Sequence, residues 1–325
     1  MNDPHIRKIT SDKDTKDCKV YTAAMTHIPK TIEIVDVSAR DGLQNESRRF
    51  STAEKLELIG HIIDAGAKRI EVASFVHPKY VPQMAGAEAV VSGLPDSDDV
   101  TYIGLVLNAR GVERALQTKV DEIGCVAAAS DGFALKNQGL TSAQSISACQ
   151  QMIAQSLAAG RSANVTLSTA FGCPFDGEVD QARVIALCTD LASAGPREIA
   201  IADTIGVATP WHVSTMLDAL KSALPSLPIR AHFHNTRNTG MANVFAAINS
   251  GASVIDASLG GLGGCPFAPK ATGNVPLEDV IYMLERAGID TGVKLPRLID
   301  GAHWLTGLMG KPLPGAVSRA GGFPT

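Results

Sequence analysis

The chain has 325 residues, 45% of them hydrophobic and 19% charged. It is too long for a small disulfide-stapled scaffold and too apolar for wholesale disorder. Its 29 basic and 33 acidic residues give a formal charge of −4, without the basic excess that a nucleic-acid binder needs. No apolar run approaches the ~20 residues of a membrane helix.

Residues 1–28 read as a disordered tail. They lack the apolar core of a secretory signal, and Asp3, Asp12, Asp14 and Asp17 speak against a transit peptide. From there, near-continuous apolar and β-branched runs predict buried parallel strands. The first is Thr31–Ser38. A helix follows over 52–66, with Ser51 or Thr52 as N-cap and Gly66 as stop. Strand Arg69–Phe75 leads into a segment over 79–94 that is irregular around Pro82. Strand Thr101–Asn108 precedes a helix over 109–119, and strand Glu122–Ser130 one over 142–160. Strand Asn164–Phe171 is followed by a helix over 181–195, and strand Glu198–Thr204 by one over 209–224. Strand Ile229–Asn235, a helix over 240–251 and strand Val254–Gly261 complete the series. Helices over 276–288 and 296–308 form a C-terminal cap.

Eight strand–helix units in about 240 residues predict a (β/α)8 TIM barrel, one domain over 29–325. A doubly wound sheet is the alternative, but no G-x-G-x-x-G follows the first strand. Six cysteines, at 18, 125, 149, 173, 188 and 265, form no C-x-x-C pair. Reduced thiols and a cytoplasmic setting are expected.

Barrel active sites lie at the C-terminal ends of the strands. The polar residues expected there are Arg40 and Asp41, Glu71, Ser74 and His77, Asp203, and His232 and His234. Two histidines at i and i+2 on a strand share a face and can bind one divalent metal if a carboxylate joins them. Asp41 is placed to do so once the barrel closes, and Asn274 could add an amide oxygen. This donor set suits Mg2+ or Mn2+, although two imidazoles also suit Zn2+. Arg40 would offer a permanent charge to a developing oxyanion, or else pair with Asp36 or Glu71. Glu71 and Asp203 are candidates for base, substrate-positioning group or counter-ion to Arg40. Cys265 lies in a glycine-rich run from Gly260 to Gly273 that can approach a ligand closely.

The motifs SARDGLQNE (Ser38–Glu46), EVASFVHPKYVPQMA (Glu71–Ala85), ADTIGVATP (Ala202–Pro210), HFHNT (His232–Thr236) and GLGGCPFAPKATGNVPLEDVIYML (Gly261–Leu284) resemble the 3-hydroxy-3-methylglutaryl-CoA lyase family of metallolyase barrels. The resemblance runs from about Ile32 to Gly292. It implies a divalent metal held by Asp41, His232, His234 and Asn274, and an enolate stabilised by Arg40. It gives Glu71, Asp203, Gln44 and Glu278 roles in ligand positioning or proton transfer, and makes Cys265 the thiol of a covering loop. The implied reaction is retro-Claisen cleavage of a 3-hydroxyacyl-CoA, with His234 or Asp203 as base, to acetyl-CoA and a keto acid such as acetoacetate. A homo-oligomer, often a dimer, is implied as well. Asn235, Asn164, Thr169 and His77 depart from the family pattern, which bears on the acyl group preferred. The rival expectations are an acyl-CoA-dependent Claisen synthase, a class II aldolase on a CoA-free hydroxy acid, and a non-catalytic barrel.

Overall fold

In the computed structural model, which describes residues 28–264 and 273–324, every strand is parallel to both of its neighbours. The strands are β1 (Glu33–Asp36), β2 (Arg69–Ser74), β3 (Thr101–Val106), β4 (Glu122–Ala128), β5 (Ser162–Ser168), β6 (Ile199–Asp203), β7 (Ile229–Phe233) and β8 (Val254–Ala257). They pair in chain order, and β8 returns to β1 to close the barrel. One strand falls within or across each predicted run. The fifth stops early because Thr169 turns the chain with φ 55°, and the eighth because Gly260 does so with φ 66°.

The surrounding helices are α1 (Thr52–Asp64), α2 (Ala87–Gly93), α3 (Ala109–Leu116), α4 (Asp131–Gln138), α5 (Ser142–Ala158), α6 (Gln181–Ala192), α7 (Pro210–Ala223) and α8 (Gly240–Asn249). Three more, α9 (Leu277–Arg286), α10 (Leu295–Met309) and α11 (Val317–Ala320), close the C-terminal end. Ser51 is the N-cap of α1. Its hydroxyl accepts the Glu54 amide at 3.2 Å, and the Glu54 carboxylate accepts the Ser51 amide at 2.8 Å, a reciprocal capping box. Residues 79–94 divide into a 3-10 turn, Pro82–Met84, and α2, separated by Gly86 at φ 81°. The predicted tail, with Cys18, lies outside the described residues except for Ile28. None of the described helices is long and apolar enough to cross a membrane.

The outward faces of the strands carry the main core. Ile34, Ile70 and Val72 pack under Leu58, Ile59 and Ile62 of α1 and their counterparts around the ring. Each such buried side chain contributes roughly 1.5–3 kcal/mol relative to exposure. The barrel interior is different. A small apolar group of Val35, Val37, Ile103 and Val254 shares it with a ladder of buried charges. Arg69 of β2 reaches across the barrel to Glu198, just before β6, with Nη1 and Nη2 at 3.0 and 2.9 Å, and also donates to Glu122 of β4. Arg230 of β7 donates to Asp256 of β8 and lies 3.4 Å from Glu198. Side chains that bond across non-neighbouring strands can only be inside.

Glu198 therefore serves two guanidinium groups that are each 1% exposed. Removing one partner of such a set leaves buried charge uncompensated, at a cost of about 3–5 kcal/mol. Glu198→Ala should lose that much in urea unfolding. A change below about 1 kcal/mol would show that the ladder does not hold the barrel together.

Candidate active site

Arg40 and Asp41 are set by the turn that leaves β1. Residues Ser38–Gly42 form one π-helical turn, in which the Gly42 amide donates to Val37 at 3.0 Å. Asp36 holds its start by accepting the Ser38 amide at 3.0 Å and hydroxyl at 2.6 Å, while Ser38 Oγ accepts the Leu259 amide at 2.7 Å. A Cβ on Gly42 would lie 2.7 Å from Ser258 Oγ and 3.2 Å from Leu262 Cβ, so only glycine fits where the turn meets the β8 exit. Arg40 is directed inward, where Nε donates to Glu71 and Nη1 to Asp41 at 2.6 Å. Burial opposes its charge, but the Glu71 and Asp41 carboxylates outweigh that and raise its pKa.

His232 and His234 reach the same place from β7 and its exit. His234 Nε2 lies 3.6 Å from Asp41 Oδ2, and ligating atoms of Asp41, His232 and His234 all fall within 4.8 Å of one another. Asn274 bridges to His234 through a backbone pairing. Its Nδ2 donates to Asp41 at 2.8 Å and to the Leu262 carbonyl at 3.1 Å. Among the described residues, two buried atoms of this cluster have no hydrogen-bond partner, Asn274 Oδ1 and His234 Nδ1. Burial by itself would raise the Asp41 pKa, but Arg40 and the histidines hold it well below the usual range. One ionised carboxylate, two imidazoles and an amide oxygen lacking a partner fit a divalent cation.

A cavity of about 950 Å3 opens over this cluster, at the upper end of the range for small-molecule sites. One wall carries Arg40, Asp41, Gln44, His232, His234 and Asp256. The facing wall carries Leu105, Val126, Phe133, Thr166 and Ser168 from β3, β4, α4 and β5.

Several expected residues stand elsewhere. Asp203 does not line the cavity. Its two oxygens accept the Val207 and Ala208 amides, each at 2.9 Å, so it ties down the loop after β6. Burial raises its pKa in spite of those amides. The counter-ions of Arg40 are Glu71 and Asp41, which corrects the expectation that Asp203 could fill that place. Glu71 is 2% exposed and touches Arg40 rather than the cavity. Glu278 is buried in the first turn of α9, where it accepts the Gly260 amide at 2.9 Å; it too does not line the cavity. Cys265 lies outside the described residues. Of the four departures from the family pattern, His77 lines the cavity. Asn164 donates to Glu122 in the interior ladder, Thr169 donates its amide to Thr204 Oγ1 at 2.8 Å, and Asn235 accepts the Gly240 amide at 2.9 Å.

The sequence reading missed the cavity wall built by α4, because an eight-residue helix with weak amphipathicity gives little periodic signal. It also missed Asp256. The rule that flagged Glu71 and Asp203, a charge in an apolar strand, applies equally to Asp256.

The HMGL-like family profile matches residues 31–304. Hydroxymethylglutaryl-CoA lyase YngG of Bacillus subtilis is 41% identical over 286 residues, covering 88% of this chain and 96% of its own. The (R)-citramalyl-CoA lyase of Chloroflexus aurantiacus is 40% identical over 302 residues, covering 90% and 95%. A solved HMG-CoA lyase of Acinetobacter baumannii, in complex with coenzyme A and 3-methylmalate, superposes with a TM-score of 0.86 at 37% identity, covering 92% of this chain and 98% of that one.

Burial pushes the Glu278 carboxyl from an ordinary 4.5 up to about 7. The folded protein keeps a proton there that the unfolded chain has released, so stability falls as pH rises from about 4.5 to about 7 and stays low above it. Glu278→Gln carries no charge. Its melting temperature relative to the parent should be about 2–4 °C more favourable at pH 8 than at pH 5 by scanning calorimetry. An equal difference at both pH values would contradict a buried titrating carboxyl.

Proposed function

The chain belongs to the HMGL-like, hydroxymethylglutaryl-CoA lyase family, and we propose on that premise that it cleaves 3-hydroxy-3-methylglutaryl-CoA, or a close 3-hydroxyacyl-CoA, to acetyl-CoA and a keto acid. It is a carbon–carbon lyase. The observation that carries the reading is the meeting of Arg40, Asp41, His232 and His234 at one end of a cavity that accommodates an acyl group.

Asp41, His232 and His234 would hold the divalent ion, Mg2+ or Mn2+, with the oxygen of Asn274 beside them. Such an ion, when bound, supplies Lewis acidity that lowers the pKa of the substrate's 3-hydroxyl. A neutral imidazole has one lone pair, so His234 either ligates or takes a proton; we assign it to the ion, and the proton of the 3-hydroxyl passes to solvent. The guanidinium of Arg40, fixed by Glu71 and Asp41, supplies positive charge where the thioester enolate develops once the C2–C3 bond breaks. Its fork is oriented before substrate arrives, so little reorganisation is needed. Gln44 contributes a polar contact from the same wall. Cys265 is the proposed proton donor to the enolate, a role that rests on the sequence motif around it.

We also place the protein in the cytoplasm, as a homo-oligomer with no nucleic-acid or membrane partner. Four buried, unpaired thiols, Cys125, Cys149, Cys173 and Cys188, support the compartment. Exposed Trp211 and Phe245, on neighbouring helices α7 and α8, support an assembly.

The test is incubation with 3-hydroxy-3-methylglutaryl-CoA and (R)-citramalyl-CoA in Mg2+, with acetyl-CoA measured. Release from the first is expected. Release from neither, with free CoA formed from a 2-oxo acid plus acetyl-CoA, would transfer the protein to the synthases. Arg40→Gln should lower kcat by on the order of 10^3 while Mn2+ binding persists. Lost Mn2+ binding with a small effect on kcat would place Arg40 in the metal site instead.

A further inference from the structure

We propose that Asp256 is a positioning residue for the metal centre. It fixes His232 in the tautomer whose free lone pair faces the ion, and the charged ladder inside the barrel holds Asp256 in turn. The proposal rests on the reading that Asp41, His232 and His234 bind a divalent cation.

Asp256 is 3% exposed, in the apolar run of β8. Its Oδ2 lies 2.9 Å from His232 Nδ1, and its Oδ1 accepts from Arg230 Nε. Arg230 continues to Glu198 at 3.4 Å, and Glu198 to both terminal nitrogens of Arg69. An ionised carboxylate only accepts hydrogen bonds, so the shared proton must sit on Nδ1. A neutral imidazole protonated at Nδ1 has its single lone pair on Nε2. His232 lines the cavity, and Nε2 is the ring nitrogen left to an ion. The contact thus sets which nitrogen can ligate, and it holds the ring against rotation.

Packing alone does not call for a carboxylate here. Val254, two residues earlier on the same interior face, is apolar. What distinguishes position 256 is that it stands between Arg230 and His232, two interior residues of β7, and bonds both. Arg230 keeps the carboxylate charged and aimed, so the ladder ends on a metal ligand rather than at a wall.

Asp256→Asn separates positioning from support. Its amide oxygen can still accept from Arg230, while its Nδ2 donor, turned to His232, demands a lone pair on Nδ1 and moves the ring proton to Nε2. Two readouts on metal-free protein decide. Nitrogen-15 spectra of histidine-labelled protein, with the His232 signal identified by its loss in His232→Gln, should show an Nδ1-protonated ring in the parent and an Nε2-protonated ring in the variant. Mn2+ titration by calorimetry should show affinity about 10–100-fold weaker in the variant, and Asp256→Glu should recover most of it. An Nε2-protonated His232 in the parent overturns the proposal even if the variant does not fold. Equal Mn2+ affinity of parent and Asp256→Asn overturns it as well, and marks Asp256 as a counter-ion of Arg230 alone. A parent that binds no Mn2+ at all defeats the metal-site reading instead.

Discussion

A guanidinium group buried in a closed barrel must bring carboxylates with it, and this constraint shapes the interior. Arg69 and Arg230 are each 1% exposed. Moving such ions from water costs several kcal/mol each unless geometry and hydrogen bonds offset it. Glu122, Glu198 and Asp256 supply the offset, and their bonds tie β2 to β4, the start of β6 to β2 and β7, and β7 to β8. A hydrophobic filling would be at least as stable. The charged filling has a direction instead: it climbs from Arg69 through Glu198, Arg230 and Asp256 to His232, at the mouth. A second and shorter relay, Glu71 to Arg40 to Asp41, reaches the same mouth from β2 and the β1 exit.

Most of the fold was legible because doubly buried strands are written as apolar runs and the helices between them as periodic ones. Each of the eight runs contains or overlaps a strand. The errors are at ends, where backbone geometry overrules composition. Apolar residues continue past Ser168 and Ala257 in the sequence, but Thr169 at φ 55° and Gly260 at φ 66° leave the extended region. A buried β-branched residue at positive φ is uncommon and costs local strain. No sequence pattern announces it. The short α4 escaped notice for the opposite reason, since its eight residues bury only Phe133 and Ala134.

The site was legible to a different degree on each strand. His232 and His234 identify each other by their spacing, and the closing of β8 onto β1 brings Asp41 to them. Asp203 stands off the cavity because proximity to a strand end does not say which way a side chain faces. Parity does. In the sheet Ala202 pairs with His232, so the inward position on β6 is 202 and its neighbour 203 points away. The same parity puts Glu198, an even-numbered position, among the interior ladder, and puts Arg230 and Asp256 there with it.

Parity also explains why a departure from the family pattern can leave the cavity wall unchanged. Asn164 faces inward on β5, yet it sits deep in the barrel and donates to Glu122, which Arg69 also engages. An uncharged amide there leaves Glu122 with Arg69, and with Arg197 at 3.5 Å, as its cations. Its polar contact is with the ladder and not with the cavity. Thr166 and Ser168, the next inward positions on β5, line the cavity directly. These hydroxyls, with Leu105 and Val126, line the cavity above the level of Asn164, which does not reach it.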